Sequence, residues 1–161
     1  MKRKTADKLF DLVYTDAMTG TNNRSAYEEH ISKLKRNNIR ADSITVVAIK
    51  LDDLTEINDT MGNRTGDEAV KLAAKCIMQT VGEKADVYRM GDDEFLCISD
   101  KDVMSYISAL RDLISFENRN KKYPFNVSIC YMKYDNKRHE NIDDLIKDCD
   151  RRLVKGRRPE Q

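Results

Sequence analysis

Residues 44–51 read ITVVAIKL, and no other stretch narrows the fold as much. A run this rich in β-branched and apolar residues leaves no alternating polar face for water, so it calls for a strand covered on both sides at the centre of a sheet. Helical periodicity surrounds it. Apolar spacing predicts a helix over Thr5 to Tyr14, then, after the loop TDAMTGTNNR, a second over Ser25 to Arg36 with Tyr27, Ile31 and Leu34 on one face. A short helix from Leu54 to Thr60 is expected to end near Gly62, and Gly66 to open a longer one to about Val81 with Val70, Ala74, Ile77 and Val81 inward. Residues 85–90 and 94–99 read as two strands joined by Gly91-Asp92-Asp93, a hairpin. Asp102 caps a helix to about Phe116 with Val103, Ile107, Leu110 and Ile114 facing inward; a strand over 125–134 and a helix over 141–153 complete the pattern. Helices alternating with strands indicate a layered α/β sheet, here with a hairpin in it.

At 161 residues the chain fits one domain, 1–161, with residues 1–15 as a lead-in helix and 155–161 as a basic tail. Only Pro124 and Pro159 are present, and neither a repeat nor a low-complexity stretch marks a linker. Lys plus Arg (29) nearly balance Asp plus Glu (28), so no overall field favours nucleic acid or an anionic membrane, and function must come from local sites. Cys76, Cys97, Cys130 and Cys149 form no C-x-x-C pair, which argues for reduced, mostly buried thiols rather than zinc. His30 and His139 are isolated and read as solvated side chains. No apolar run is long enough to span a bilayer and the start lacks a signal-peptide core, so a cytoplasmic location is expected.

Two acidic clusters stand out: Asp52 and Asp53 after the first strand, and Asp92, Asp93 and Glu94 at the hairpin. If the strands are neighbours their ends meet, and carboxylates at adjacent strand ends suit Mg²⁺ bound against phosphate oxygens. An acidic turn open to water is the other reading of the same residues.

Four segments, in order and correctly spaced, resemble the GGDEF family of diguanylate cyclases. DAMTGTNNR at 16–24 is similar to the family's D-x-L-T-G-x-x-N-R, and INDTMGNRTGDEA at 57–69 to its I-N-D-x-x-G-H-x-x-G-D. RMGDDEF at 89–95 is similar to the signature R-x-G-G-D-E-F, and DCDRRLVKGRR at 148–158 to a worn closing segment A-D-x-A-L-Y-x-A-K, with Val154 in place of the Tyr. The resemblance implies a central, mostly antiparallel sheet wrapped by helices, like the polymerase palm. It also implies condensation of two GTP to cyclic di-GMP and two pyrophosphates by a homodimer using Mg²⁺. Carried over by position, Asn58 and Asp67 match the guanine ligands and Gly91 the first glycine at the nucleotide. Asp93 and Glu94 match the acidic pair that ligates metal and serves catalysis.

Three positions depart from the pattern, all on the phosphate side. Lys50 stands where the first metal-binding Asp belongs, Thr55 where a phosphate-contacting Lys belongs, and Asp92 where the second glycine belongs; Asp52 keeps the second Asp of the strand end. As a cation, Lys50 is placed to pair with Asp93 or Glu94 in the position of the metal. The product-inhibition motif R-x-x-D is absent at 82–85, so feedback through it is not expected. The resemblance therefore implies a module of cyclic di-GMP signalling with a degenerate site that binds guanine nucleotide weakly or serves in dimerisation. Its sensor or effector domain would act in trans or lie in a longer parent chain. An active cyclase and an interaction domain binding no nucleotide are the competing readings.

Overall fold

The computed structural model describes residues 2–37 and 41–155; the basic end at 156–161 lies outside the described residues. Its elements are α1 (Lys2–Tyr14), α2 (Arg24–Arg36), β1 (Thr45–Leu51), α3 (Leu54–Met61), α4 (Asn63–Gln79), β2 (Asp86–Arg89), β3 (Glu94–Ser99), α5 (Met104–Asn118), β4 (Val127–Lys133) and α6 (Ile142–Lys155). The strands form one sheet in the order β2-β3-β1-β4, with every pairing antiparallel.

β1 is the inner strand that its composition requires. Val47, Ile49 and Leu51 point into a core shared with α3, α4 and α5, while Val46 and Ala48 point the other way into a core shared with α2 and α6. Each of these larger aliphatic side chains, wholly buried, stabilises the fold by about 1.5–3 kcal/mol, so this one strand ties both layers together. Lys50 belongs to the second set by parity, and it is the first residue along β1 to break the apolar run. The expected inner stripes are inward: Val70, Ala74, Ile77 and Val81 from one segment, and Val103, Ile107, Leu110 and Ile114 from α5, are buried.

Boundaries moved where local chemistry overrode periodicity. α4 begins at Asn63, not Gly66, because the break falls at Gly62, whose φ of 91° few other residues adopt and whose N–H donates to the Asn58 carbonyl at 3.0 Å. Gly66 lies inside the helix for a different reason, given below. Asp102 does cap α5 from just outside it, its Oδ1 accepting from Met104 N–H at 3.0 Å. His139 corrects the solvated reading: it is 3% exposed, accepts from Asp135 N–H through Nδ1 at 3.1 Å and meets Asp148 through Nε2 at 2.9 Å. Cys76, Cys97 and Cys149 are buried, Cys130 half-buried, and all four are free thiols.

Among the described residues no helix is long and apolar enough to cross a membrane. α1 leaves Leu9, Phe10, Leu12 and Val13 each more than half exposed, an apolar face that the described chain covers only in part.

Candidate functional site

The tip of the β2–β3 hairpin meets the end of β1. Lys50 pairs across the sheet with Glu94, and Leu51 N–H donates to the Asp93 carbonyl at 2.9 Å. Register therefore brings the lysine under the acidic turn. Its Nζ lies 3.7 Å from Asp93 Oδ2 and 3.6 Å from Glu94 Oε1, with the lysine side chain only 23% exposed. An ion pair this shaded from water is screened less than a surface pair, and its geometry places one ammonium between two carboxylates.

Three adjacent acids on one turn repel each other, and the surrounding cations explain how the turn holds. Arg89 donates through Nε to the Gly91 carbonyl at 3.2 Å and through an NH2 nitrogen to the Asp92 carbonyl at 3.1 Å. Its remaining arm reaches Asp16 Oδ2 at 3.1 Å. Arg24 donates to the Met90 carbonyl at 3.3 Å. Together with Leu51 N–H on the Asp93 carbonyl, every carbonyl from Met90 to Asp93 has a donor, so the tip is a fixed platform. Asp16 is fixed in turn by Thr19, whose N–H and hydroxyl donate to Oδ2 at 3.0 and 2.7 Å. Partial burial alone would raise the Asp16 pKa, yet the bonds from Thr19 and Arg89 outweigh it and hold the carboxyl below the usual carboxylate value. Asp16 and Arg89 both lie in the sequence segments DAMTGTNNR and RMGDDEF, but 73 residues apart, and no linear signal joined them.

Asp52 turns toward β4, its Oδ1 accepting from the Ser128 hydroxyl at 2.6 Å, and Asp53 is exposed in the left-handed turn that starts α3, at φ 60°. Thr55 and Asp92 are exposed, as is Glu94, while Asp93 is half-buried. Gly91 has an ordinary backbone conformation, and a Cβ there would meet nothing nearer than the Glu94 side chain at 3.9 Å. The fold itself thus makes no demand for glycine at 91.

On the α3–α4 side, Asn58 and Asp67 both lie inside helices, so neither is a helix cap. A Cβ on Gly66 would fall 1.7 Å from Asn58 Oδ1 and 2.8 Å from its Cγ, so the amide oxygen points at the glycine and the two helices touch there. Asp67 is the next residue and is exposed. Asn58 Oδ1 is also the one buried side-chain oxygen among the described residues with no hydrogen-bond partner, a costly arrangement unless the site has a use for it. Gly66 is a residue that sequence reading assigned only to a helix start; its signal was its place directly before Asp67.

Mg²⁺, which the resemblance implies, can be tested against these side chains. A divalent ion of this size takes an octahedron of oxygens, usually with one or two carboxylates supplied by the protein. Here Asp93 and Glu94 supply carboxylates, but a covalently attached ammonium stands within 4 Å of both. Among the described residues no group of three or more His, Cys, Asp or Glu is arranged to hold a metal ion. The donor set does not fit a resident divalent ion.

A family model described as "Diguanylate cyclase, GGDEF domain" matches residues 13–161. Among curated proteins, the chain is 32% identical over 148 residues to a probable diguanylate cyclase, DgcJ of Escherichia coli, covering 86% of this chain and 28% of that protein. It is 28% identical over 142 residues to the cyclic di-GMP phosphodiesterase PdeB of Shewanella oneidensis, covering 84% of this chain and 16% of that one. The chain thus corresponds to less than a third of either relative. Among solved structures, the coiled coil and GGDEF domain of DgcB from Caulobacter crescentus, in complex with c-di-GMP, superposes with a TM-score of 0.78 at 18% identity over 94% of this chain and 84% of that one. The GGDEF domain of FimX from Pseudomonas aeruginosa gives 0.73 at 20% identity over 89% and 93%.

Proposed function

The chain belongs to the GGDEF family, the domain of cyclic di-GMP signalling, and on that premise we propose that it binds guanine nucleotide without condensing it. The observation that carries this reading is Lys50 between Asp93 and Glu94. Phosphoryl transfer of this kind relies on positioning and charge neutralisation, and a single ammonium supplies one positive charge where two Mg²⁺ supply four. Asp92 adds an anion to the same turn, and Thr55 offers none of the positive charge of a lysine. The base side is kept. Asp67 is exposed, and its carboxylate can accept from guanine N1–H and N2–H₂, while Asn58, whose Oδ1 is buried against Gly66, has its Nδ2 to donate.

The matched relatives include a probable cyclase and a phosphodiesterase, so likeness alone does not choose between a domain that turns over and one that only binds. A second reading, an active diguanylate cyclase, has one observation in its favour: Asp93 and Glu94 are both present on a fixed turn. The apolar face of α1 suits burial against another helix, which fits a homodimer or a sensor or effector domain in trans or in a longer parent chain.

Calorimetry with GTP and chromatographic detection of cyclic di-GMP test this directly. Binding without product is expected, and Asp67→Ala is expected to abolish binding, because it leaves guanine N–H donors unpaired. Product from the unmodified chain would establish the cyclase; absence of binding by any guanine nucleotide would leave an interaction domain.

A further inference from the structure

The misfit between this donor set and a divalent ion has a chemical consequence. Asp93 and Glu94 carry two negative charges, Lys50 returns one, and Asp92 on the same turn is exposed. The hairpin tip is therefore net negative once its own ammonium is counted. Arg89 and Arg24 do not reverse this, since each is balanced by a carboxylate of its own, Asp16 at 3.1 Å and Glu28 at 3.7 Å. A phosphate chain arriving without a metal meets repulsion that grows with every phosphate. One arriving with Mg²⁺ brings an ion into a place where an ammonium already stands, and neither Asp93 nor Glu94 can turn fully to the ion without giving up Lys50.

We infer that Lys50 is a built-in counter-ion that replaces the divalent metal, so that the site takes guanine nucleosides and monophosphates metal-free and disfavours the triphosphate. The nucleotide half of this inference rests on the guanine reading above; the metal half does not. Lys50 sets specificity in this scheme through Asp93 and Glu94, and touches no reacting atom. Each added phosphate lowers affinity roughly tenfold, the order expected when one more partly screened like-charge contact is made near the surface. Guanosine then binds most tightly, GMP more weakly, GDP more weakly again and GTP most weakly.

The experiment has two arms on the same folded protein. In the first, guanosine, GMP, GDP and GTP are titrated by calorimetry with excess Mg²⁺ and again with EDTA; Mg²⁺ is expected to change any affinity by less than about threefold. Tighter binding of GTP than of GMP, with a tenfold or larger gain from Mg²⁺, overturns the inference. In the second arm, Mn²⁺ binding is followed by electron paramagnetic resonance without nucleotide. The unmodified chain is expected to bind none at the hairpin, Lys50→Arg to behave likewise, and Lys50→Asp to bind Mn²⁺ in a form lost when Asp93→Asn is added. A rise in melting temperature with Mn²⁺, confined to Lys50→Asp, is the matching stability readout. Should Lys50→Asp fail to fold without metal, Lys50→Met removes the ammonium without a new anion, and Mn²⁺ binding by it but not by the parent supports the same conclusion. Mn²⁺ bound by the parent and lost with Asp93→Asn overturns the metal half. If no guanine compound binds at all, the guanine reading falls, and the Mn²⁺ arm still decides what Lys50 does.

Discussion

Asn58 and Gly66 bring two helices together at a distance that no Cβ would allow, whereas the hairpin tip is an exposed turn held by hydrogen bonds to its carbonyls and by the Lys50 ion pairs. Asn58 is thus built into the packing of α3 against α4 and cannot change without disturbing its contact with Gly66, while Asp67 beside it is exposed. The hairpin side is different. Its backbone is fixed by Arg89, Arg24 and Leu51, but Thr55, Asp92 and Glu94 project into water, where a substitution alters charge with little effect on folding.

The largest test of that contrast is repair. Lys50→Asp, Thr55→Lys and Asp92→Gly act on one charge balance, so singly they are expected to do little, and together to raise cyclic di-GMP formation in Mg²⁺ roughly a hundredfold or more above the parent, the non-additivity expected of residues that work as a unit. A triple variant that folds and stays inactive would move the defect away from these three positions. Next in size is Gly66→Ala, expected to cost about 1–3 kcal/mol in urea unfolding as an overpacked helix contact and to remove guanine binding by displacing Asn58. Gly91→Ala is its control, expected to change stability by less than about 0.5 kcal/mol since nothing lies within 3.9 Å. Equal costs at the two glycines would erase the distinction drawn here.

Arg89→Ala should come third. It strips donors from two turn carbonyls and from Asp16, and is expected to cost about 1–3 kcal/mol and to speed amide exchange in the hairpin. Arg89→Lys should recover only part of this, because one ammonium cannot hold two carbonyls and a carboxylate at once. Unchanged exchange in Arg89→Ala would show that the platform does not depend on the clamp.

The smallest effects are those of pH. Asp16 has a folded pKa below its unfolded one, so its contribution is present above the ordinary carboxylate value and is lost as pH falls through the lowered one. Asp150 is the opposite case: burial, and then repulsion from Glu94, raise its pKa, so its charged form opposes folding at neutral pH. Asp16→Asn should therefore destabilise at neutral pH and Asp150→Asn stabilise slightly, with both differences fading in acid, as melting temperatures across that range would show. The same sign for both variants would contradict these assignments.

Much of this was readable from residue order. ITVVAIKL demanded an inner strand, the stripe Val70, Ala74, Ile77 demanded a helix against it, and Gly91-Asp92-Asp93 between two strand-like runs demanded a hairpin, because periodicity and turn chemistry are local properties. The pairing of Lys50 with the hairpin acids was an expectation from position alone, and the cross-strand register with Glu94 gives it a geometry. His139 was misread because an isolated histidine has no local mark of burial; its partners, Asp135 and Asp148, come from a loop and from α6. The bond from the Ser128 hydroxyl to Asp52, across 76 residues, likewise had no mark in the sequence.

By itself, then, the sequence determined which segments are helix or strand and which faces are apolar, since each depends on side chains within a few positions of one another. Tertiary structure alone decided that the Lys50 ammonium lies within 4 Å of both Asp93 and Glu94 at once, that Arg89 joins the hairpin to Asp16, and that Gly66 admits Asn58. Those contacts arise from strand register and helix approach, which are set by the packing of the whole chain and carry no mark in the spacing of the residues that make them.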